Sequence, residues 1–177
     1  GLRERIKSMS STEREQVILN ELAEVLSENR RKYVLPFRFM RRNQQRTSHY
    51  LIFVSKNETA YKIMKDLMYD LSTEFDDGVA SFSYIPVLKS QQLSLLSLLD
   101  RPLDNLADEL LEVFRGKSLT VKKIIDLHHV NTPFVPRNYK EALRRLEENQ
   151  RITCNPSKRQ IRNDVKTMGD NVMITFP

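Results

Sequence analysis

Pro136-Arg-Asn-Tyr-Lys-Glu-Ala-Leu-Arg-Arg-Leu-Glu-Glu-Asn149 divides into two sides when wound as an α-helix. At about 100° per residue from Arg137, the residues Tyr139, Ala142, Leu143 and Leu146 fall between about 140° and 240°. Arg137, Glu141, Arg144 and Glu148 lie within about 40° of zero, and Lys140, Arg145 and Glu147 flank them. A helix so divided packs one side on a core and shows the other to solvent. Two further helical patterns precede it. One spans about 103–115, with Leu103, Leu106, Ala107, Leu110 and Phe114 on one face and Gly116 as its stop. The other spans about 120–130, with Val121, Ile124, Ile125 and His128 together. Thr132-Pro-Phe-Val-Pro136 connects it to the third helix. Beyond that helix, Ile152 and the run Val172 to Phe176 read as short strands, with a basic loop containing Pro and Gly over 155–170. Three helices followed by a two-stranded ribbon is the winged helix-turn-helix order.

Upstream, the pattern changes. Thr12-Glu-Arg-Glu15 fits a capping box, and Ile18, Leu22, Val25 and Leu26 continue a helix over about 12–29. Tyr33 to Met40 alternates in polarity, residues 43–48 are polar, and His49 to Ser55 reads as a second strand, so a hairpin is predicted. Pro36 predicts that the first strand is an edge strand or is bulged there. Residues 57–72 carry Tyr61, Met64, Met68 and Leu71 at helical spacing. Asp76-Asp77-Gly78 is a turn signal, and Val79 to Ile85 reads as a strand. Leu93, Leu96 and Leu99 predict a short leucine-rich helix, broken at Asp100-Arg101-Pro102. The expected fold is α+β: a small β-β-α-β unit followed by a C-terminal winged helix-turn-helix. Its segments are a helical start (1–29), the β-β-α-β unit (30–85), a linker with a short helix (86–102) and the winged helix (103–177).

Composition narrows the chemistry. The 177 residues are 40% hydrophobic and 29% charged, with a net charge of +6. No apolar run approaches the roughly 18 residues of a membrane span, so no membrane partner is expected and the expected localisation is cytoplasmic. Four scattered glycines form neither a P-loop nor a Rossmann fingerprint. A single cysteine, Cys154, excludes an internal disulfide framework and a multi-thiolate metal site. His128 and His129 point about 100° apart on a helix and do not readily share one tetrahedral ion. His128 reads as a core histidine, and Asp76-Asp77 reads as part of a turn. No catalytic residue, metal ligand or cofactor is therefore expected.

In a winged helix the third helix enters a DNA groove with its N-terminal end nearest the bases. On that geometry Arg137 and Asn138 face bases, and Lys140, Arg144 and Arg145 reach phosphates. The wing adds Lys158, Arg159, Arg162 and Lys166. Residues 115–166 hold 13 basic and 5 acidic residues, an excess above the +6 of the whole chain. Glu141, Glu147 and Glu148 dilute the stripe and repel phosphate. A protein interface or a solvated face therefore stands beside nucleic-acid contact, because fold does not fix function. A second basic patch flanks the first hairpin: Arg38, Arg41, Arg42 and Arg46, with no acid from 30 to 46. It reads equally as a phosphate-tracking surface or as a guard on a strand edge.

Tyr50-Leu-Ile-Phe-Val-Ser-Lys-Asn57, then Tyr61-Lys-Ile-Met-Lys-Asp-Leu-Met-Tyr69, resembles the three-Cys-motif partner proteins. Thr132-Pro-Phe134, Asn138-Tyr-Lys-Glu-Ala-Leu-Arg144 and the closing Ile174-Thr-Phe-Pro177 are similar to that family's winged-helix end. The family often has His where Asn57 stands and Gly where Ala60 stands. The resemblance implies that the β-β-α-β unit is the tail of a methyltransferase-like domain, that this chain is a C-terminal fragment or a reduced member, and that its partner is a radical-type protein with a three-cysteine motif. The expected function is a non-catalytic module that binds duplex DNA or another nucleic acid, or docks to a protein. The alternative is the tail of a methyltransferase-like enzyme, active only with an N-terminal domain or with that partner.

Overall fold

The computed structural model describes residues 7–28, 33–41, 46–84, 102–156, 161–162 and 165–177. The leucine-rich helix predicted around Leu93, Leu96 and Leu99 lies outside the described residues, as do Arg42, Lys158 and Arg159. The chain is mixed α and β, with small sheets followed by a winged helix. Two compact units form: residues up to Leu71 with Tyr84–Pro86, and Ser72–Ser83 with Val87–Pro177.

In the first unit, helix α1 runs Ser11–Glu28. Its capping box uses Ser10 and Glu13, two residues before the predicted pair. The Ser10 N–H donates to Glu13 Oε2 at 2.8 Å and the Glu13 N–H to Ser10 Oγ at 3.3 Å. Strands β1 (Tyr33–Met40) and β2 (Thr47–Ser55) pair antiparallel, from Tyr33 opposite Ser55 to Phe39 opposite His49. The register shifts between Phe39 and Met40, not at Pro36. Strand β1 is the middle strand of three, between β2 and β5 (Ser83–Tyr84), so the predicted edge position is not found. Strand β5 is two residues long and spans only part of β1, which leaves room for a residue without an N–H. Helix α2 (Glu58–Leu71) begins at Asn57, whose Oδ1 accepts from the N–H groups of Thr59 and Ala60 at 2.8 and 3.2 Å. It buries Tyr61, Lys65, Met68 and Tyr69. Lys65 is 2% exposed, and burial pushes its ammonium pKa down to about 7. Its Nζ lies 5.7 Å from the centre of the Tyr61 ring.

The second unit opens with a hairpin, β3 (Phe75–Asp76) and β4 (Val79–Ala80). Asp77 and Gly78 have φ of 43° and 75°, the pair of positive angles that a tight two-residue hairpin turn demands. The strand predicted over Val79 to Ile85 is interrupted at Phe82, where φ is 51°. Then come α3 (Pro102–Val113), β6 (Ser118–Thr120), α4 (Val121–His128) and α5 (Pro136–Glu148). Strands β7 (Thr153–Asn155) and β10 (Met173–Thr175) follow, with the short pair β8 (Ile161–Arg162) and β9 (Val165–Lys166) between them. Strand β10 is central, pairing antiparallel with β6 and β7, so Ile174 stands opposite both Leu119 and Cys154. The three helices close over this sheet on one core. Leu106, Leu110, Ile124, Tyr139, Leu143 and Ile174 are each fully buried in it. Val79, from the preceding hairpin, belongs to the same core.

Candidate functional site

Helix α5 follows α4 after a turn, with Val135 as its N-cap and Pro136 at its first position. Val135 has no side-chain acceptor, so the start of the helix is fixed from the other direction. Asn138 Oδ1 accepts the Val135 N–H at 3.0 Å, and Asn138 Nδ2 donates to the Gly78 carbonyl at 2.8 Å. Asn138 is 3% exposed. The residue expected to face bases is a buried structural amide that ties α5 to the β3–β4 turn.

The cations of α5 are differently placed from a simple outward stripe. Arg137 is exposed at the N-terminal end. Lys140 pairs with Asp170 at 2.8 Å. Arg144 donates to Glu141 and to Glu148. Arg145 grips Asp77 with both terminal nitrogens, at 2.9 and 3.0 Å, and also reaches Asp104 at 3.2 Å and Glu141 at 3.1 Å. These bonds hold both guanidinium pKa values above the ordinary arginine value. Bonding to Arg144 in turn holds Glu141 below the usual carboxylate range, against the opposing effect of burial. In the wing, Lys166 is exposed and Arg162 lies in β8.

Three carboxylates at this site were invisible to periodicity. Asp77, Asp104 and Asp170 come from three different elements, and only the tertiary fold brings them to α5. They also change the charge balance. Residues 115–166 are strongly basic, but residues 72–177 together hold 15 basic and 14 acidic residues. Residues 1–71 hold 14 basic and 9 acidic. Over 103–177 the winged helix holds 13 basic and 10 acidic residues, half of the excess of the chain, so its surplus is smaller than the segment 115–166 alone suggests.

His128 and His129 serve packing. His128 has an 8% exposed side chain, with Nδ1 2.9 Å from the Tyr139 hydroxyl and Nε2 3.2 Å from Glu109. His129 Nδ1 lies 2.9 Å from the Ile125 carbonyl oxygen. Among the described residues, no group of three or more His, Cys, Asp or Glu is placed to hold a metal ion, and no helix is long and apolar enough to cross a membrane. A shallow cleft of about 280 Å³ lies between α3 and α5, lined by Asp104, Asp108, Arg145 and Arg151 among others. That is below the roughly 300–1,000 Å³ of small-molecule sites.

The order of helices and strands, and the central place of β10, define a winged-helix domain. Residues 83–159 match the family model described as a GMT-like wHTH domain. No curated protein and no solved structure matches the chain.

Proposed function

We propose that the winged helix is a non-catalytic docking module whose ligand is a protein surface. The observation that carries this reading is the pairing of Arg144 and Arg145 with Glu141, Glu148, Asp77 and Asp104. A phosphate approaching α5 would have to displace these carboxylates and would be repelled by them. A like-charge contact at 4 Å costs about 1 kcal/mol in water and about 4 kcal/mol at an effective dielectric of 20. A protein surface of interleaved charge meets such a mosaic with complementary signs. The resemblance noted above points to a radical-type three-cysteine protein as the first partner to try.

Duplex contact is the second reading. It is favoured by the exposure of Arg137 and Lys166 and by the basic excess over 115–166. It would use Arg137 and Lys140 of α5 with Lys158, Arg159, Arg162 and Lys166 of the wing. Calorimetric titration of the three-cysteine protein into the intact chain is expected to give a complex that Arg137→Glu and Arg144→Glu weaken. Fluorescence anisotropy on a mixed-sequence duplex supplies the opposing arm. Salt-dependent duplex binding that falls in Arg137→Ala and rises in Glu141→Gln would overturn protein docking in favour of DNA.

A further inference from the structure

We propose that the β1–β2 hairpin of the first unit binds single-stranded nucleic acid. The stacked Phe39–His49 pair would be its base platform, and Arg41 and Arg46 its phosphate contacts. Phe39 and His49 stand opposite each other in the register, with ring centres 4.6 Å apart and planes 12° from parallel. Phe37 meets Phe39 edge-on at 5.2 Å. Strand alternation puts Phe37, Phe39, His49 and Leu51 on one side of the ribbon. Phe37 is buried, but His49 is exposed, Phe39 is only half-buried and Leu51 is 48% exposed. An aromatic pair open to water on a ribbon is a stacking surface, because every base has a π-face.

The charge beside it has the matching sign. The Arg41 N–H donates to the Arg46 carbonyl at 2.9 Å, so the two residues face each other at the end of the hairpin, and both are exposed. No acidic residue occurs from 30 to 46. Glu15 is near the hairpin, but it accepts from Tyr50 and Thr47, whose side chains lie on the opposite side of the ribbon from the stack. Arg38 donates to Thr47 on that opposite side, so it is not one of the contacts. A duplex hides its base faces within the stack, whereas a single strand offers unstacked bases to aromatic side chains. A flat aromatic pair bordered by arginines therefore fits a single strand better than a duplex.

The test is fluorescence anisotropy of the intact chain with labelled oligo(U), oligo(dT) and a duplex, each about a dozen nucleotides long. Both single strands are expected to bind at low salt more tightly than the duplex, and the RNA and DNA arms show whether the 2′-hydroxyl contributes. His49→Ala is expected to weaken single-strand binding at least about fivefold, the size of one lost base stack. His49→Phe, which keeps a ring in the stack, is expected to retain affinity. Arg41→Ala and Arg46→Ala should each flatten the log-affinity against log-salt slope by about 0.7. Circular dichroism checks that each variant is folded. The proposal is overturned by an absence of binding at low salt, by equal affinity for the duplex, by unchanged affinity in His49→Ala, or by His49→Phe losing as much as His49→Ala.

Discussion

Asn138→Ala distinguishes a structural amide from a base-reading one. Two hydrogen bonds disappear. Val135 is fully buried, so its N–H, now 3.0 Å from Asn138 Oδ1, would have no partner in the variant. A buried unpaired donor costs about 1–3 kcal/mol. Gly78 is exposed, so its carbonyl turns to water when Asn138 Nδ2 is removed. That loss is worth no more than an ordinary net hydrogen bond, about 0.5–1.5 kcal/mol. The two losses share one side chain and are not fully additive, so a total of about 2–3 kcal/mol is expected. For a unit of about 100 residues, each kcal/mol moves Tm by about 4–8 °C, so the transition should fall by about 10–20 °C. The chain has no Trp, so far-UV circular dichroism is the suitable signal, cross-checked by a urea titration with unchanged slope. A Tm within about 3 °C of the parent would refute the structural role. Weaker duplex binding at unchanged stability would restore Asn138 to the interface.

Arg145→Met and Asp77→Asn should each destabilise the winged-helix unit by about 1–2 kcal/mol, between the values for exposed and buried pairs. The double variant should lose less than the sum by at least about 0.5 kcal/mol, and strict additivity in urea denaturation would show that the contact is energetically idle. Lys65 gives a pH signature in the first unit. Its folded pKa of about 7 lies below the unfolded 10.5, so between these values the unfolded chain binds more protons and stability rises with pH. Lys65→Met should flatten that rise and leave the unit more stable at pH 7, and a parent melting curve that is insensitive from pH 7 to 10 would contradict the burial of this amine.

The helices of the winged helix were legible because each keeps a long apolar face: Leu106 and Leu110 in α3, Ile124 in α4, and Tyr139, Leu143 and Leu146 in α5. Strand β6 was not, because three residues do not establish an alternating period. The interruption at Phe82 was equally hidden, since a positive φ at an aromatic residue has no compositional signature. The candidate site was legible only as a list of cations. Whether a cation faces solvent or a carboxylate depends on residues far along the chain, as Arg145 and Asp77 illustrate. Asn138 shows a related ambiguity. Near the start of a helix an Asn can reach outward or cap backward, and the choice was made by Val135, which cannot cap for itself. The stacked pair on the hairpin followed from register, which neither strand specifies alone.

The β3–β4 turn also bears on the order of folding. Asp77 and Gly78 leave the ribosome 68 and 60 residues ahead of their partners Arg145 and Asn138, so the seat of α5 is non-local and closes only after a long loop entropy has been overcome. Helices α3 and α4 can collapse on local contacts before that closure. The turn also lies upstream of residue 83, where the match to the winged-helix family model begins. A polypeptide cut at that point would keep all three helices yet lose the latch that fixes how the third one is presented.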